Sequence, residues 1–145
     1  MININVIING EDVSYNVFKR VMRIINMASK KASKKLAAEK ILYFILWYFH
    51  ITKEELINKV AVDAPYTKSD IQNMRHLFAY FSYLYAVESS TVCANMLNMG
   101  SYASIIHGKS KIVDWLDTEK SIRIFVRDIQ GLIDNYFELH KTQQL

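Results

Sequence analysis

Residues that form tight turns are scarce in this chain. It has four glycines and one proline among 145 residues, whereas an all-β sandwich needs turn residues about every ten positions. Hydrophobic residues make up 51% of the sequence, which is enough for a buried core and is not typical of a disordered chain. The composition therefore argues against an all-β sandwich, and the helical patterns along the chain predict an all-α fold, a single helical bundle.

Capping patterns predict where the helices begin. Thr52 is followed three residues later by Glu55, the pattern of a capping box, in which the two residues satisfy each other's free N–H groups. Thr67 and Asp70 mark the start of a long helix, and Asn98-Met99-Gly100 predicts a tight turn with the glycine suited to a positive φ. The last two helices are expected to begin at Ser101 or Tyr102 and at Asp117. Helices are expected to end near Phe49, Lys59, Val87, Leu97, Leu116 and Tyr136.

Apolar and polar residues alternate near the N-terminus. Residues 2–8 form a strand-like pattern without a second strand in the sequence to pair with it. This short segment is expected to lie extended against the helices, or to pair with a second copy or another protein. A helix capped by Ser14 is expected to follow it. We therefore divide the chain into an N-terminal extension, residues 1–37, and a helical domain, residues 38–140.

The positive charge is concentrated before residue 41. The formal net charge is +4, but residues 19–40 contain eight basic residues and one acid, so this window carries +7 and the rest of the chain −3. A basic segment in a nearly neutral protein suggests a polyanionic partner, either nucleic acid or an anionic membrane. Its centre, the N-terminal lysine group, is either a phosphate-contacting arm or a solvated corner between helices. The group consists of Lys30, Lys31, Lys34 and Lys35.

The most apolar run of the sequence is too short to cross a membrane. Ile41–Phe49 spans nine residues, whereas a bilayer-spanning helix needs about 20, so we expect a helix buried on all sides. The N-terminus also lacks the basic residues that begin a signal peptide. A cytoplasmic protein without a membrane partner is therefore expected. The single cysteine, Cys93, fits a reducing compartment and excludes an intramolecular disulfide.

The region around Gly100 has the pattern of a helix-turn-helix. A short helix, a turn of about three residues and a second amphipathic helix follow one another, as in many DNA-binding proteins. The second helix is expected to turn Ile105, Ile106 and Ile112 to the core. The residues expected to face the major groove are Ser101, Tyr102, Ser104 and His107. Those expected to hold phosphates on the second helix are Lys109 and Lys111.

Three stretches give this region a resemblance to a known family. Tyr48-Phe-His-Ile-Thr-Lys-Glu-Glu-Leu-Ile-Asn-Lys59, Met74-Arg75-His76 and the segment from Met96 to Ile112 are similar, in order and spacing, to the C-terminal DNA-binding domain of the bacterial replication initiator DnaA. The resemblance covers residues 38–135. It implies a helix-turn-helix fold of the Trp-repressor type and binding to double-stranded DNA. Lys68 and Arg75 would then contact phosphates, the alternative for Arg75 being an ion pair with Asp70 or another acid.

The residues that read DNA in that family are not the ones found here. Where the family has Arg-Asp-His-Thr, this chain has Gly100-Ser101-Tyr102-Ala103, and the family's minor-groove arginine falls at Thr67 beside Lys68. Direct readout depends on the donors and acceptors that side chains present to a groove. We therefore expect the scaffold to carry over but not recognition of the family's usual DNA site. The family's ATPase module is also missing.

The sequence does not predict an enzyme, a cofactor or a metal site. Gly108-Lys109-Ser110 lacks the first glycine of a phosphate-binding loop, and the four histidines lack metal-ligand spacing. Cys93 is interpreted as a small core residue. The first hypothesis is a small DNA-binding protein in replication control or transcriptional regulation, of the kind found in a phage or mobile element. The alternative is a protein-interaction or structural module that kept the fold and lost DNA recognition.

Overall fold

The computed structural model of this protein describes residues 32–62 and 65–141. The chain divides into two units, residues 1–30 and 31–145, and the described residues all belong to the second. Several expectations lie outside the described residues: the extended segment at residues 2–8, the helix after Ser14, the lysines Lys30 and Lys31, and the tail after Lys141.

Six α-helices make up most of the described residues. They are α1 (Ala38–Phe49), α2 (Lys53–Asn58), α3 (Lys68–Tyr85), α4 (Ser90–Met96), α5 (Tyr102–Trp115) and α6 (Lys120–Lys141). Within the described ranges, β pairing is limited to one isolated bridge between Leu36 and Ala86. The all-α class predicted from the helical patterns of the sequence is therefore confirmed.

Short polar side chains cap the N-terminal ends of α2, α3, α4 and α5. The hydroxyl of Thr52 accepts the N–H of Glu55, whose carboxylate accepts the N–H of Thr52 in return, so the expected capping box is present at α2. Thr67 and Asp70 make the same reciprocal pair at α3. The hydroxyl of Ser89 accepts the N–H of Val92 at the start of α4. Local sequence alone therefore determines where α2, α3 and α4 begin.

The last helix, α6, begins and ends later than its sequence predicts. It ends at Lys141 rather than near Tyr136. The ring of Phe137 lies 5.9 Å from that of Tyr85 in α3, and the ring of Tyr136 lies 6.1 Å from that of Phe44 in α1. These aromatic contacts stabilise the C-terminal turns of α6 through residues distant in sequence, which the local pattern does not show.

The central helix is α3, which packs against α1, α2, α4 and α5. Eleven of its 18 residues are buried. They include the predicted inner face, which consists of Leu77, Tyr80, Phe81 and Leu84. Burial of these large side chains supplies much of the hydrophobic free energy that holds the bundle together.

The apolar helix α1 is buried on one side only, so the expectation of burial on all sides is wrong. Ile41 and Ile45 are fully buried, whereas Tyr43 is 57% and Trp47 55% exposed. The reason is that α1 packs between α3 and α6, and no described element covers its outer face. None of the helices in the described ranges is long and apolar enough to span a bilayer.

Candidate functional site: a basic cleft between α3 and α5

A tight turn joins α4 to α5. Its left-handed residue is Asn98, with φ 52°, and not Gly100 as the sequence suggested. Asparagine tolerates this conformation because its short polar side chain can hydrogen-bond locally. The N–H of Met99 donates to the carbonyl of Ala94 at 2.9 Å and closes the end of α4. The predicted turn is present, but the residue that makes it is different.

Helix α5 buries one face and exposes the N-terminal half of the other. Ile105 and Ile112 are buried, as their spacing predicts, but Ile106 is exposed because it lies one position around the helix from the buried face. Tyr102 is 60% exposed, and His107 is also exposed. The first two turns of α5 therefore present side chains to solvent.

The two serines at the start of α5 have different roles. Ser101 is the N-cap, since its hydroxyl oxygen accepts the N–H of Ala103 at 3.3 Å. Ser104 is half-buried and lies beside α3. The capping bond orients the Ser101 side chain at the helix end, while Ser104 belongs to a concave surface.

That concave surface is a cleft of about 430 Å³ between α3 and α5, beside the turn that follows α4. It brings together three of the residues predicted from the sequence, which are Arg75, Ser104 and His107. No acidic residue lines it. The full polar lining consists of Lys59, Gln72, Arg75, His76, Asn98, Ser104 and His107.

The guanidinium of Arg75 is buried and connects three segments. Its side chain is 6% exposed, and Nη1 donates to the carbonyls of Leu56 at 3.0 Å and Leu97 at 3.1 Å. Burial lowers the pKa of this guanidinium. Among the described residues no ion pair joins Arg75 to a carboxylate, and the carboxylate of Asp70 instead accepts the N–H of Thr67. Arg75 is thus a buried cation that holds α2 and α4 against α3 and lines the cleft.

The imidazole of His76 lies beside Arg75 and is 8% exposed. Its pKa is lowered from 6.5 to about 4, mainly because burial disfavours the charged form and also because His107, Lys111, Arg75 and Lys59 are near. The centre of the His107 ring lies 5.7 Å from that of His76. We call these five residues, Lys59, Arg75, His76, His107 and Lys111, the basic cluster.

The lysines of α5 lie over aromatic rings. Nζ of Lys109 is 4.9 Å from the centre of the Tyr83 ring in α3, and Nζ of Lys111 is 5.8 Å from that of Trp115. Cation–π contacts of this kind orient a long side chain without neutralising it. Lys68, the first residue of α3, is exposed and does not line the cleft.

The described part of the N-terminal lysine group lies away from the cleft. Nζ of Lys34 is 5.8 Å from the ring centre of Phe137 in α6, and Nζ of Lys35 donates to the carbonyl of Leu84. Leu84 is near the C-terminal end of α3, roughly 13 Å along the helix axis from Arg75. Of the predicted phosphate contacts in this group, Lys34 and Lys35 therefore do not belong to the cleft.

Sequence reasoning missed part of the polar lining of the cleft, namely Lys59, Gln72, His76 and Asn98. A signal was available in the distribution of acids: between Ile71 and Val113 the sequence contains one acidic residue, Glu88. The carboxylate of Glu88 accepts the N–H of Ala38 at the start of α1. The segment from Ile71 to Val113, which forms most of α3, α4 and most of α5, therefore carries basic side chains and almost no carboxylates.

Comparisons with known proteins give no relative from which to argue. Protein-family models do not match the sequence, and searches of curated proteins and of solved structures find no match either. Within the described ranges there is no group of three or more histidine, cysteine or acidic residues that could hold a metal ion. The features that bear on function are therefore the cleft and the exposed half of α5.

Proposed function

We propose that this protein binds double-stranded DNA through α4, the turn after it and α5, which act as a helix-turn-helix. In such motifs the N-terminal residues of the second helix contact base edges in the major groove. The exposed first turns of α5 supply such residues. The side chains proposed to reach the bases are those of Ser101, Tyr102, Ser104 and His107.

The basic cluster is the observation that carries this proposal. It groups four basic side chains around His76, and of its five residues all but Lys59 come from the acid-poor segment between Ile71 and Val113. Duplex DNA has one negative charge per roughly 1.7 Å of its axis, so binding depends on basic groups placed beside the groove-reading helix. Lys68, Lys109 and Lys111 are proposed to hold phosphates on either side of α5, and Lys34 and Lys35 to add contacts independent of sequence.

The proposed role is that of a small non-enzymatic DNA-binding protein of the cytoplasm. The resemblance to the replication initiator's domain supports replication control or transcriptional regulation, in a phage or another mobile element. Because Gly100-Ser101-Tyr102-Ala103 replaces the family's base-reading residues, the DNA sequence recognised is proposed to differ from the family's site. Selection from random duplexes would identify it.

Fluorescence anisotropy with labelled duplex DNA tests the proposal. The affinity should fall steeply between about 50 and 200 mM salt, because released counterions drive binding. The double variant K109Q/K111Q should bind more weakly and with a shallower salt dependence, by about 0.9 in slope for each lost phosphate contact. K141Q removes the same kind of charge from the exposed end of α6 and should bind as the wild type does. Absence of binding at 50 mM salt would refute the proposal.

A protein-interaction module is the second candidate, and α1 supplies the observation that favours it. Tyr43 and Trp47 are large, exposed aromatic side chains on one face of this helix, and such residues are enriched at the centres of protein interfaces. Native mass measurements on the full chain, the chain without residues 1–10 and W47A distinguish the candidates. An oligomer lost in either variant would favour this second function, whereas a monomer throughout would count against self-association.

A further inference from the structure

We propose that the cleft between α3 and α5 binds a phosphate group carried by an organic molecule, with Lys59, Arg75, His76 and His107 as its basic ligands. Two sources share this chemistry, a free phosphomonoester and a phosphate of the DNA backbone. The proposal holds whether or not the protein binds DNA, because it rests on the charges and donors within the cleft.

The cleft carries positive charge that no acidic lining residue compensates. Arg75 is buried there without a carboxylate partner among the described residues, and every polar residue in the lining is either basic or neutral. A buried charge is unfavourable unless an opposite charge and hydrogen bonds accompany it. A bound dianion would supply both, so the free cleft is electrostatically prepared for an anion.

The lining of the cleft also supplies hydrogen-bond donors. Within the described part of the chain only Nη1 of Arg75 has acceptors, which leaves Nε and Nη2 for a ligand in the cleft. Ser104, Gln72 and Asn98 add hydroxyl and amide groups from three different elements. Guanidinium groups bind phosphate oxygens in pairs and with defined geometry. The volume of the cleft is within the range of small-molecule sites, so it has room for an organic group attached to the phosphate.

Anion binding in the cleft is expected to depend on pH, because the titratable His76 lies among basic groups. The groups of the described residues that act on the charge of His76 are basic: Arg75 from its own helix, Lys59 from the end of α2, and His107 and Lys111 from α5. A dianion among these groups would favour the protonated form of His76, so binding takes up a proton and becomes tighter as the pH falls. A site made only of lysine and arginine would show no such dependence near neutral pH.

Side-chain NMR spectra of the histidines, recorded on the full chain, test the proposal. The protein is titrated with inorganic phosphate and, separately, with sulfate, against sodium chloride at matched ionic strength. Sulfate keeps its charge between pH 6 and pH 8, so a change in its affinity reports on the protein. We expect saturable shifts of the His76 and His107 resonances that chloride does not reproduce, with tighter sulfate binding at pH 6. Shifts that fail to saturate, or that chloride reproduces, would overturn the proposal.

Surface variants identify the ligands without disturbing the core. H107Q and K59Q should each weaken sulfate binding by about tenfold, the effect of losing one charge-assisted hydrogen bond. K141Q, far along α6 from the lining residues, should leave it unchanged. Equal binding by H107Q, K59Q and K141Q would contradict the assignment, even if R75Q proves too unstable to study.

Duplex DNA then distinguishes the two sources of the phosphate. If the duplex displaces sulfate from the cleft, the DNA backbone occupies the site. If DNA binds while sulfate stays bound, or if DNA does not bind at all, the site belongs to a separate phosphomonoester. In either case the sulfate titration decides whether the site exists, so failure of DNA binding and failure of this inference remain distinguishable.

Discussion

Gly108 in α5 lies directly against Ala79 in α3. A Cβ atom at position 108 would be 2.6 Å from the Cβ of Ala79 and 3.3 Å from the Cα of His76, and the first distance is too short for two carbon atoms. G108A should therefore push α5 away from α3 and destabilise the fold by about 1–3 kcal/mol, the usual cost of overpacking a core. Chemical denaturation followed by circular dichroism measures this difference.

Gly131 is the matched control, since it is exposed within α6 and a Cβ there would meet nothing within 4 Å. Alanine is the better helix former, so G131A should stabilise the protein by up to about 1 kcal/mol. If G108A destabilises the protein by no more than G131A changes its stability, then α5 and α3 do not pack closely at Gly108.

Replacement of Arg75 should loosen two helix ends at once. R75M removes both hydrogen bonds of Nη1 and leaves the buried carbonyls of Leu56 and Leu97 without that donor, at a cost of about 2–4 kcal/mol. R127M provides the control because Arg127 is 72% exposed and pairs with the adjacent Asp128, an arrangement worth about 0–1 kcal/mol. Urea denaturation of both variants gives the comparison. Similar losses in the two would show that Arg75 does not connect the segments.

The start of α3 should depend on the cap made by Thr67. T67A leaves the N–H of Asp70 without its side-chain acceptor and should cost about 1 kcal/mol. T118A, in the exposed turn before α6, is the matched substitution at a threonine that does not cap a described helix. Thermal denaturation should show a lower midpoint for T67A only, and equal midpoints would contradict the capping role.

The sequence predicted the features that are decided locally. The capping pairs of Thr52 with Glu55 and of Thr67 with Asp70 act within one helical turn, so their residue types are sufficient to predict them. The cleft could not be predicted in this way. Gln72, Asn98 and His107 lie on separate elements, and their proximity depends on how α5 crosses α3 at Gly108.

The sequence also could not decide which apolar residues of α1 and α5 are exposed, or which residue of the turn is left-handed. Apolar residue type alone did not show that Trp47 and Ile106 are exposed, because exposure depends on which faces the tertiary packing uses. Nor does the sequence distinguish Asn98 from Gly100 as the left-handed residue of the turn, since both types adopt a positive φ.

The folded protein should lose stability between pH 6.5 and pH 4 because of His76. The pKa of this buried imidazole is about 4, against 6.5 for a free histidine, so in that interval the unfolded chain binds more protons than the folded one. The contribution of His76 to stability is therefore fully present above pH 6.5 and is lost as the pH falls towards 4, by up to roughly 3 kcal/mol. Urea denaturation at pH 5 and pH 7, in chloride without phosphate or sulfate, measures the difference.

Two variants separate this effect from the general loss of stability in acid. H76Q has no imidazole to protonate and should show a smaller difference between pH 7 and pH 5 than the wild type. H140Q removes an exposed imidazole near the end of α6 and should retain the wild-type difference. Sulfate should reduce the difference in the wild type, because an anion in the cleft stabilises the protonated form of His76. If the loss of stability between pH 7 and pH 5 is the same in H76Q and the wild type, the burial of His76 does not control its protonation.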